Sequence, residues 1–341
     1  MRIATYNIEW FTNLFDRNDH ILSDEQRSGR DGVSRREQVG AITTVLKTLD
    51  ADLVLIVEAP DSGRGRSTVR ALENFARAQR LRTRKAAMGF VNETEQELAV
   101  LYDPDVVSVQ HTPRGSPIDK NVSRIAPRFD TVFRFDLNSD GIAEPVTFSK
   151  PPLELTVKTK TGEQFSLIGL HVKSKAPHGA RNDHDVMRLS IENRKKALAQ
   201  CIWVRRRIDE HFAAGRSLVV LGDVNDGPGL DEYEKLFGRS SVEILMGEGN
   251  GEKLVDPNAD VISQRKGVAA PTSSRFYLAH EGRYLEVLLD YIMLSKDLAA
   301  RNARWRILHP FDDPACFAND QLRTALMTAS DHFPVLVDLD L

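Results

Sequence analysis

Apolar runs of strand length alternate with helical periodicities along most of the chain. RIATYNI, from Arg2 to Ile8, reads as a strand. Ser34 followed by Glu37 is a capping-box pair, so a helix runs from there to about Leu49. DADLVLIVE is a continuous apolar segment, the mark of a strand buried on both faces, and it ends in Glu58. TVRALENFARAQ is helical, and strands follow around LRTRKAAM, ELAVLY and VVSVQH. LELTVKT and QFSLIGLHV form two strands joined by a KTGE turn, and the longest helix spans about Asp185 to Ala213. SLVVLGD, YLEVLLDYIML, RWRIL and PVLVDLDL complete the core. The alternation predicts an α/β architecture, and with no repeat or linker composition a single domain over 1–341 is expected. Two long polar loops, 112–130 and 174–184, are placed where function tends to concentrate.

With 41% hydrophobic and 28% charged residues among 341, the chain can bury a large core. No apolar run is long enough to cross a membrane, so no integral membrane association is expected. The net charge of −3 hides clusters: Arg77, Arg80, Arg82, Arg84 and Lys85; Lys173 and Lys175; and Arg194, Lys195, Lys196, Arg205, Arg206 and Arg207. The last group has helical spacing and reads as a solvated helix face. Weak acidity overall therefore does not exclude a polyanionic substrate. Cys201 and Cys316 suit a reducing compartment, Cys201 as a small core residue. A strand pattern beginning beside Met1 leaves no room for a signal peptide, which predicts a cytoplasmic protein, or a secreted one if a removed leader precedes Met1.

Strand after strand ends or is interrupted by a polar group that an interior strand has no structural use for. Asn7 interrupts TYNIEW, Glu58 ends LVLIVE, His171 follows SLIGL, and Asp223 and Asn225 follow SLVVLG. Asp290 breaks VLLDYIML, and Asp331 and His332 precede FPVLV. A lone Asn, Asp or His beside a strand is commonly a turn or a satisfied hydrogen bond. Asp290 resists that reading, because a carboxylate between Leu289 and Tyr291 needs a buried partner, and His332 can serve. In open α/β sheets such groups converge on one crevice. Oxygen ligands, two His and no thiolate suit a hard divalent cation, Mg²⁺ or Mn²⁺, and point to phosphoryl chemistry. DLNSDG also resembles the opening of a calcium loop, with Asp136, Asn138 and Asp140 as ligands of a structural Ca²⁺, but Thr147 stands where the twelfth-position Glu belongs, and a hairpin turn is the simpler account.

Taken in order, TYNIEW, IVE, LAVLY, GLHVKSK, LGDVND, LLDYIML and SDHFPV resemble the motifs of the endonuclease/exonuclease/phosphatase superfamily, the group with the deoxyribonuclease I-like fold. The resemblance spans nearly the whole chain. It implies two packed mixed β-sheets flanked by helices in a four-layer sandwich. It also implies roles: Asn7 and Glu58 on the metal with Asp331 close by, Asp223 orienting or deprotonating the attacking water, and Asn225 on a phosphate oxygen. His332 would contact the phosphate, fixed by Asp290. His171 would stabilise the transition state or protonate the leaving oxygen, oriented by Glu97 or Glu95.

The same resemblance narrows the substrate. DGPG and LLDYI depart from inositol-polyphosphate phosphatases, and Val57 before Glu58 departs from exonuclease III-type enzymes. Sphingomyelinases carry an exposed aromatic hairpin, for which the sequence offers no clear candidate. HVKSK, together with KPPLE from Lys150 to Glu154, is similar to segments of bacterial nucleases, and it implies that Lys173 and Lys175 sit beside the scissile phosphate. The expected function is a metal-dependent phosphodiesterase on DNA or RNA, an endonuclease, acting as a monomer; a small-molecule or lipid phosphohydrolase using the same site is the alternative. Asp226, on the face opposite Asp223 and Asn225, is expected to be a turn residue.

Overall fold

The apolar runs become strands with nearly the bounds that their patterning predicts. In chain order the elements are β1 (Arg2–Asn7), α1 (Arg35–Leu49), β2 (Leu53–Ala59), α2 (Thr68–Gln79), β3 (Lys85–Met88), β4 (Glu97–Tyr102), β5 (Val107–His111), β6 (Phe133–Phe135) and β7 (Glu144–Val146). Then come β8 (Leu153–Thr159), β9 (Gln164–His171), α3 (Asp183–Ala213), β10 (Leu218–Asp223), α4 (Ser241–Met246), α5 (Pro257–Gln264), β11 (Ser274–Leu278) and β12 (Arg283–Val287). The last are β13 (Asp290–Leu294), α6 (Lys296–Ala299), β14 (Arg304–Ile307), α7 (Pro314–Ala318), α8 (Asp320–Ala329) and β15 (Val335–Asp338). The computed structural model describes residues 1–116, 125–136, 141–177, 179–227, 235, 238–249, 251–264, 270–278 and 282–341.

Six strands form one mixed sheet in the order β14-β15-β1-β2-β4-β3, and five form a second in the order β13-β10-β9-β8-β5. β1 runs parallel to β2, and β9 parallel to β10. Period-two alternation explains how each strand serves two cores. Leu53, Leu55 and Val57 of β2 point between the sheets, where they meet Leu167, Val219 and Ile292, while Val54 and Ile56 face α1 and α2. Ile168 and Leu170 of β9 face α3 instead. The layers are therefore helix, sheet, sheet, helix, as the fold resemblance implies. The sheets approach closely at Gly169, where a Cβ would lie 2.7 Å from Leu55 Cδ1.

The caps agree with the sequence: Ser34 accepts from the Glu37 backbone N while the Glu37 carboxylate accepts from that of Ser34. α3 starts at Asp183, slightly before the expected residue, because the Asn182 side chain accepts from the Asp185 backbone N and fixes the first turn there.

Two expectations need correction. YLEVLLDYIML is not one strand: it breaks at Leu288 and Leu289 into β12, which pairs with β11, and β13, which pairs with β10. The Ser273 hydroxyl causes the break by accepting from the backbone N of both Leu289 and Asp290, at 3.0 and 2.9 Å. Nor is the third basic cluster wholly a solvated face. Arg207 is fully buried, paired with Glu154 at 3.0 Å and donating to the carbonyls of Ala126 and Pro127. A hydrophobic interior tolerates that ion because its two terminal nitrogens find acceptors, and removing one partner of such a pair costs about 3–5 kcal/mol. Of the loop read as a calcium site, Asn138 and Asp140 lie outside the described residues, while Asp136 accepts from the Gly141 backbone N at 2.9 Å. Among the described residues no helix is long and apolar enough to cross a membrane.

Candidate active site

The polar strand ends meet at one edge of the sandwich. Asn7 closes β1, Glu58 lies near the end of β2, and Asp223 at the end of β10 stands level with His171 on β9 and Asp290 on β13. Three local backbone features aim these groups. A register shift between Val57 and Ala59 puts Glu58 at φ +59°, so a bulge turns its side chain out of the regular pleat. Gly222 has φ +130°, and a Cβ there would lie 2.1 Å from the Leu170 carbonyl oxygen, so only glycine lets β10 press this closely on β9. Asn225 takes φ +53°, a conformation Asn tolerates well, and folds back so that its backbone N donates to Asp223 Oδ1 at 2.8 Å.

Asp223 is buried and central. Its Oδ2 accepts from Asn7 Nδ2 and from Asn225 Nδ2, each at 3.2 Å. Burial pushes its carboxyl up to about 7, helped by the negative charges of Asp290 and Glu58 and opposed by His332. His332 behaves in the opposite sense. Burial alone would discharge it, but its Nδ1 lies 2.8 Å from Asp290 Oδ2, and with Asp223 and Asp331 also near, its pKa rises well above the ordinary value. The Ser273 hydroxyl donates to the same Asp290 oxygen at 2.8 Å, holding the carboxylate in place.

His171 is pushed well below its ordinary pKa, first by burial and then by the positive charges of Lys150 and His332. Its Nε2 lies 3.2 Å from Lys150 Nζ, 3.7 Å from Asp223 Oδ2 and 4.0 Å from Glu58 Oε1. The implied orienting glutamate is not in contact: Glu97 Oε2 accepts from Asn92 Nδ2 at 2.7 Å, and His171 Nδ1 is buried without a hydrogen-bond partner. Lys150 is the residue that sequence reasoning passed over. It opens the quoted KPPLE segment, and its ammonium is itself lowered by burial, against the pull of Glu58 and Asp223.

On the β1–β2 side the donors are oxygens. Asn7 Oδ1 is buried with no partner, an orphaned acceptor beside two carboxylates. Glu58 is raised by burial and by Asp331, and lowered by Lys150, His332 and a hydrogen bond from Asn7. Glu9, also missed, is raised to about 7 by burial and Asp331 despite its ion pair with Arg30. Among the described residues no three Asp, Glu, His or Cys side chains form a ready-made metal cage. An Asn oxygen and one or two carboxylates do fit a Mg²⁺-like ion, which keeps several waters and takes its remaining ligands from phosphate.

The two lysines implied to flank the phosphate part company. Lys173 is lowered by burial and Lys196, and contributes to the positive potential at Lys150. Lys175 is engaged by the Asp226 carboxylate. Asp226 is therefore no turn residue: it is buried, accepts from the Ser241 backbone N at 2.7 Å, and its carbonyl accepts from the Tyr291 hydroxyl at 3.0 Å. The structure also supplies the aromatic hairpin that the sequence did not reveal. On β11 and β12, Tyr277 and Tyr284 are exposed with ring centroids 5.1 Å apart, and the Arg275 guanidinium lies 4.1 Å from the Tyr284 ring. The hairpin springs directly from the site, because the Arg275 backbone N donates to the Asp331 carbonyl at 2.8 Å and the Phe276 ring meets His332 edge-on.

A family model described as Endonuclease/Exonuclease/phosphatase family matches residues 4–332. The chain belongs to this family. Members of the family are hydrolases of phosphoester bonds and generally use divalent metals. Among solved structures, truncated TDP2 from Caenorhabditis elegans superposes with a TM-score of 0.50 at 14% identity, covering 98% of this chain and 96% of that one. An AP endonuclease from Archaeoglobus fulgidus gives 0.50 at 14%, covering 100% of both. A family protein from Bacteroides thetaiotaomicron gives 0.50 at 15%, covering 99% and 96%. At these identities the likeness is one of fold, the deoxyribonuclease I-like sandwich. No curated protein matches significantly by sequence.

Proposed function

We propose that this family member is a divalent-metal-dependent phosphodiesterase that hydrolyses nucleic acid, acting as an endonuclease. The observation that carries this reading is Asp223: a buried carboxyl brought to about 7, bonded by Asn7 and Asn225 and standing level with His171 and Asp290. A base of that strength is half ionised near neutral pH, where general-base catalysis works best. Asp223, its Oδ2 held by Asn7 and Asn225, takes the proton of the attacking water as the water oxygen bonds to phosphorus; the P–O bond to the leaving oxygen breaks, and the leaving oxygen is protonated from solvent. His332, kept charged by Asp290, donates from Nε2 to a phosphate oxygen as negative charge builds. His171 is neutral in its surroundings, so the positive charge beside it comes from Lys150, with Lys173 adding to the local potential. A bound cation would lie at Asn7 and Glu58, near Asp331, and would neutralise phosphate charge.

The Tyr277 and Tyr284 rings with Arg275 beside them suit nucleic acid, because aromatic faces stack bases irrespective of sequence and Arg contributes through its cation. The similarity in fold to TDP2 and to an AP endonuclease is consistent with such a substrate. The same exposed aromatic hairpin favours one other reading, a lipid phosphohydrolase whose hairpin touches a bilayer. A panel of plasmid, single-stranded DNA, RNA and sphingomyelin vesicles, each with Mg²⁺, Mn²⁺ or Ca²⁺ and with chelator, separates the two. Metal-dependent conversion of supercoiled plasmid or internal cuts in RNA is expected. Intact nucleic acid at every protein concentration, with phosphocholine released from vesicles, would transfer the assignment to lipid.

A further inference from the structure

A cavity of about 520 Å³ opens at the far end of the second sheet, between β8, β9 and the C-terminus of α3. Ser166 lines it and stands five residues before His171 on β9, so the cavity lies roughly 16 Å from the candidate active site by strand rise alone. Arg114, Arg216 and His211 line it together with Thr156, Ser166 and the Glu154 carboxylate; Leu155 and Leu167 also border it, but their side chains are buried in the seam between the sheets.

These polar groups are unusually placed for a merely structural cleft. His211 is 3% exposed, lines the cavity, and its Nδ1 has no hydrogen-bond partner. Buried nitrogens are nearly always paired. Burial drives its pKa down to about 3, and the charges of Arg114, Arg216 and Arg207 push the same way, so three guanidiniums converge on a neutral ring. Of the three, Arg207 is neutralised by Glu154, whose other oxygen accepts from the Arg114 backbone N at 3.0 Å. Among the described residues neither Arg114 nor Arg216 has a carboxylate within salt-bridge distance. Arg207 also pairs with Glu210, and Glu154 lines the cavity too, so three guanidiniums against two carboxylates leave the surroundings of an unsatisfied imidazole nitrogen positive.

We propose that this cavity is a second, non-catalytic site that binds a phosphate monoester of mononucleotide size. Arg114 and Arg216 match a dianion, and Arg is the side chain suited to multidentate phosphate recognition. His211 Nδ1 supplies a further hydrogen bond, and Thr156 and Ser166 line the space left for the organic part. The volume is that of a small-ligand pocket, about 300–1,000 Å³, and exceeds the needs of bare phosphate. The inference does not depend on what the strand-end site cleaves.

The test is calorimetric titration of adenosine 5′-monophosphate and of inorganic phosphate into the full chain with chelator. Wild-type protein, Arg216→Ala, Arg216→Glu and the Arg114→Ala/Arg216→Ala double variant are compared. Arg216 is exposed, so its variants should fold, and circular dichroism with an unchanged cleavage rate confirms it. Loss of one bound equivalent, or weakening by about tenfold or more per arginine, is expected, with Arg216→Glu the most affected. Coincident isotherms for wild type and double variant overturn the site. Equal affinity for inorganic phosphate overturns the mononucleotide assignment.

Discussion

His171 closes a strand of the five-stranded sheet and His332 sits just before one of the six-stranded sheet, both buried and both close to Asp223, yet their surroundings drive them in opposite directions. Burial disfavours the charged ring in each case. At His332 the Asp290 carboxylate outweighs it, whereas at His171 the Lys150 ammonium adds to it. One fold edge therefore holds an imidazolium and a neutral imidazole side by side, and the choice of partner rather than depth of burial decides which is which.

Four changes would break or sharpen that contrast. Asp290→Asn should have the largest effect, slowing single-turnover cleavage about 10²–10⁴-fold by removing the group that charges and orients His332. Its wild-type pKa is raised, so the stability gained from the charged ring is complete below the unfolded value near 6.5 and is lost as pH rises through the higher folded value. The variant should lack this loss of stability at alkaline pH, and His332 should titrate lower by NMR; an unchanged titration would remove Asp290 from the role. Gly222→Ala comes next. It should cost about 2–4 kcal/mol in urea unfolding, because its Cβ must displace the Leu170 carbonyl. The damage should reach His171 and Asp223 while leaving the His332 resonance near its wild-type position.

Asp223→Asn tests the base. The raised carboxyl makes its neutral form the stable one, so this group's contribution is present below the unfolded value of 3.8 and fades as pH climbs through about 7. Metal-free Asp223→Asn should therefore melt a few degrees above wild type at pH 8, with a smaller gain at pH 5. Calorimetric scans at the two pH values decide, and a gain confined to pH 5 would contradict the assignment. Lys150→Met should have the smallest effect. His171 should titrate at higher pH, and cleavage should fall about tenfold through lost electrostatic stabilisation; an unmoved His171 would show that burial alone sets its state.

The strands, the caps and the set of polar strand ends were legible because each follows from a local rule: period two, a capping box, or a polar residue closing an apolar run. What was not legible depends on partners distant in sequence. Arg207 shares its helical spacing with solvated arginines, and only distant partners, Glu154 and the carbonyls of Ala126 and Pro127, distinguish it. The break between β12 and β13 is made by a single hydroxyl at Ser273, and Asp226 looks like a turn until Lys175 and Ser241 close around it. Lys150 lay within a quoted segment, but its position beside His171 depends on the loop that precedes β8. Tyr277 and Tyr284 are spaced as any hairpin pair; their exposure reflects that β11 and β12 pair only with each other, outside both large sheets.

Gly169 acquires a different meaning once the two halves of the edge are distinguished. It precedes His171 by two residues on one sheet and presses against Leu55, which precedes Glu58 by three on the other. The seam between the sheet that carries Glu58 and the sheet that carries His171 is thus packed on the absence of a side chain at position 169. A methyl there would act as a shim, pressing on the Leu55 side chain from beneath without altering any group that touches phosphate. The spacing of the reaction partners is adjustable from beneath, in the apolar seam, independently of their chemistry.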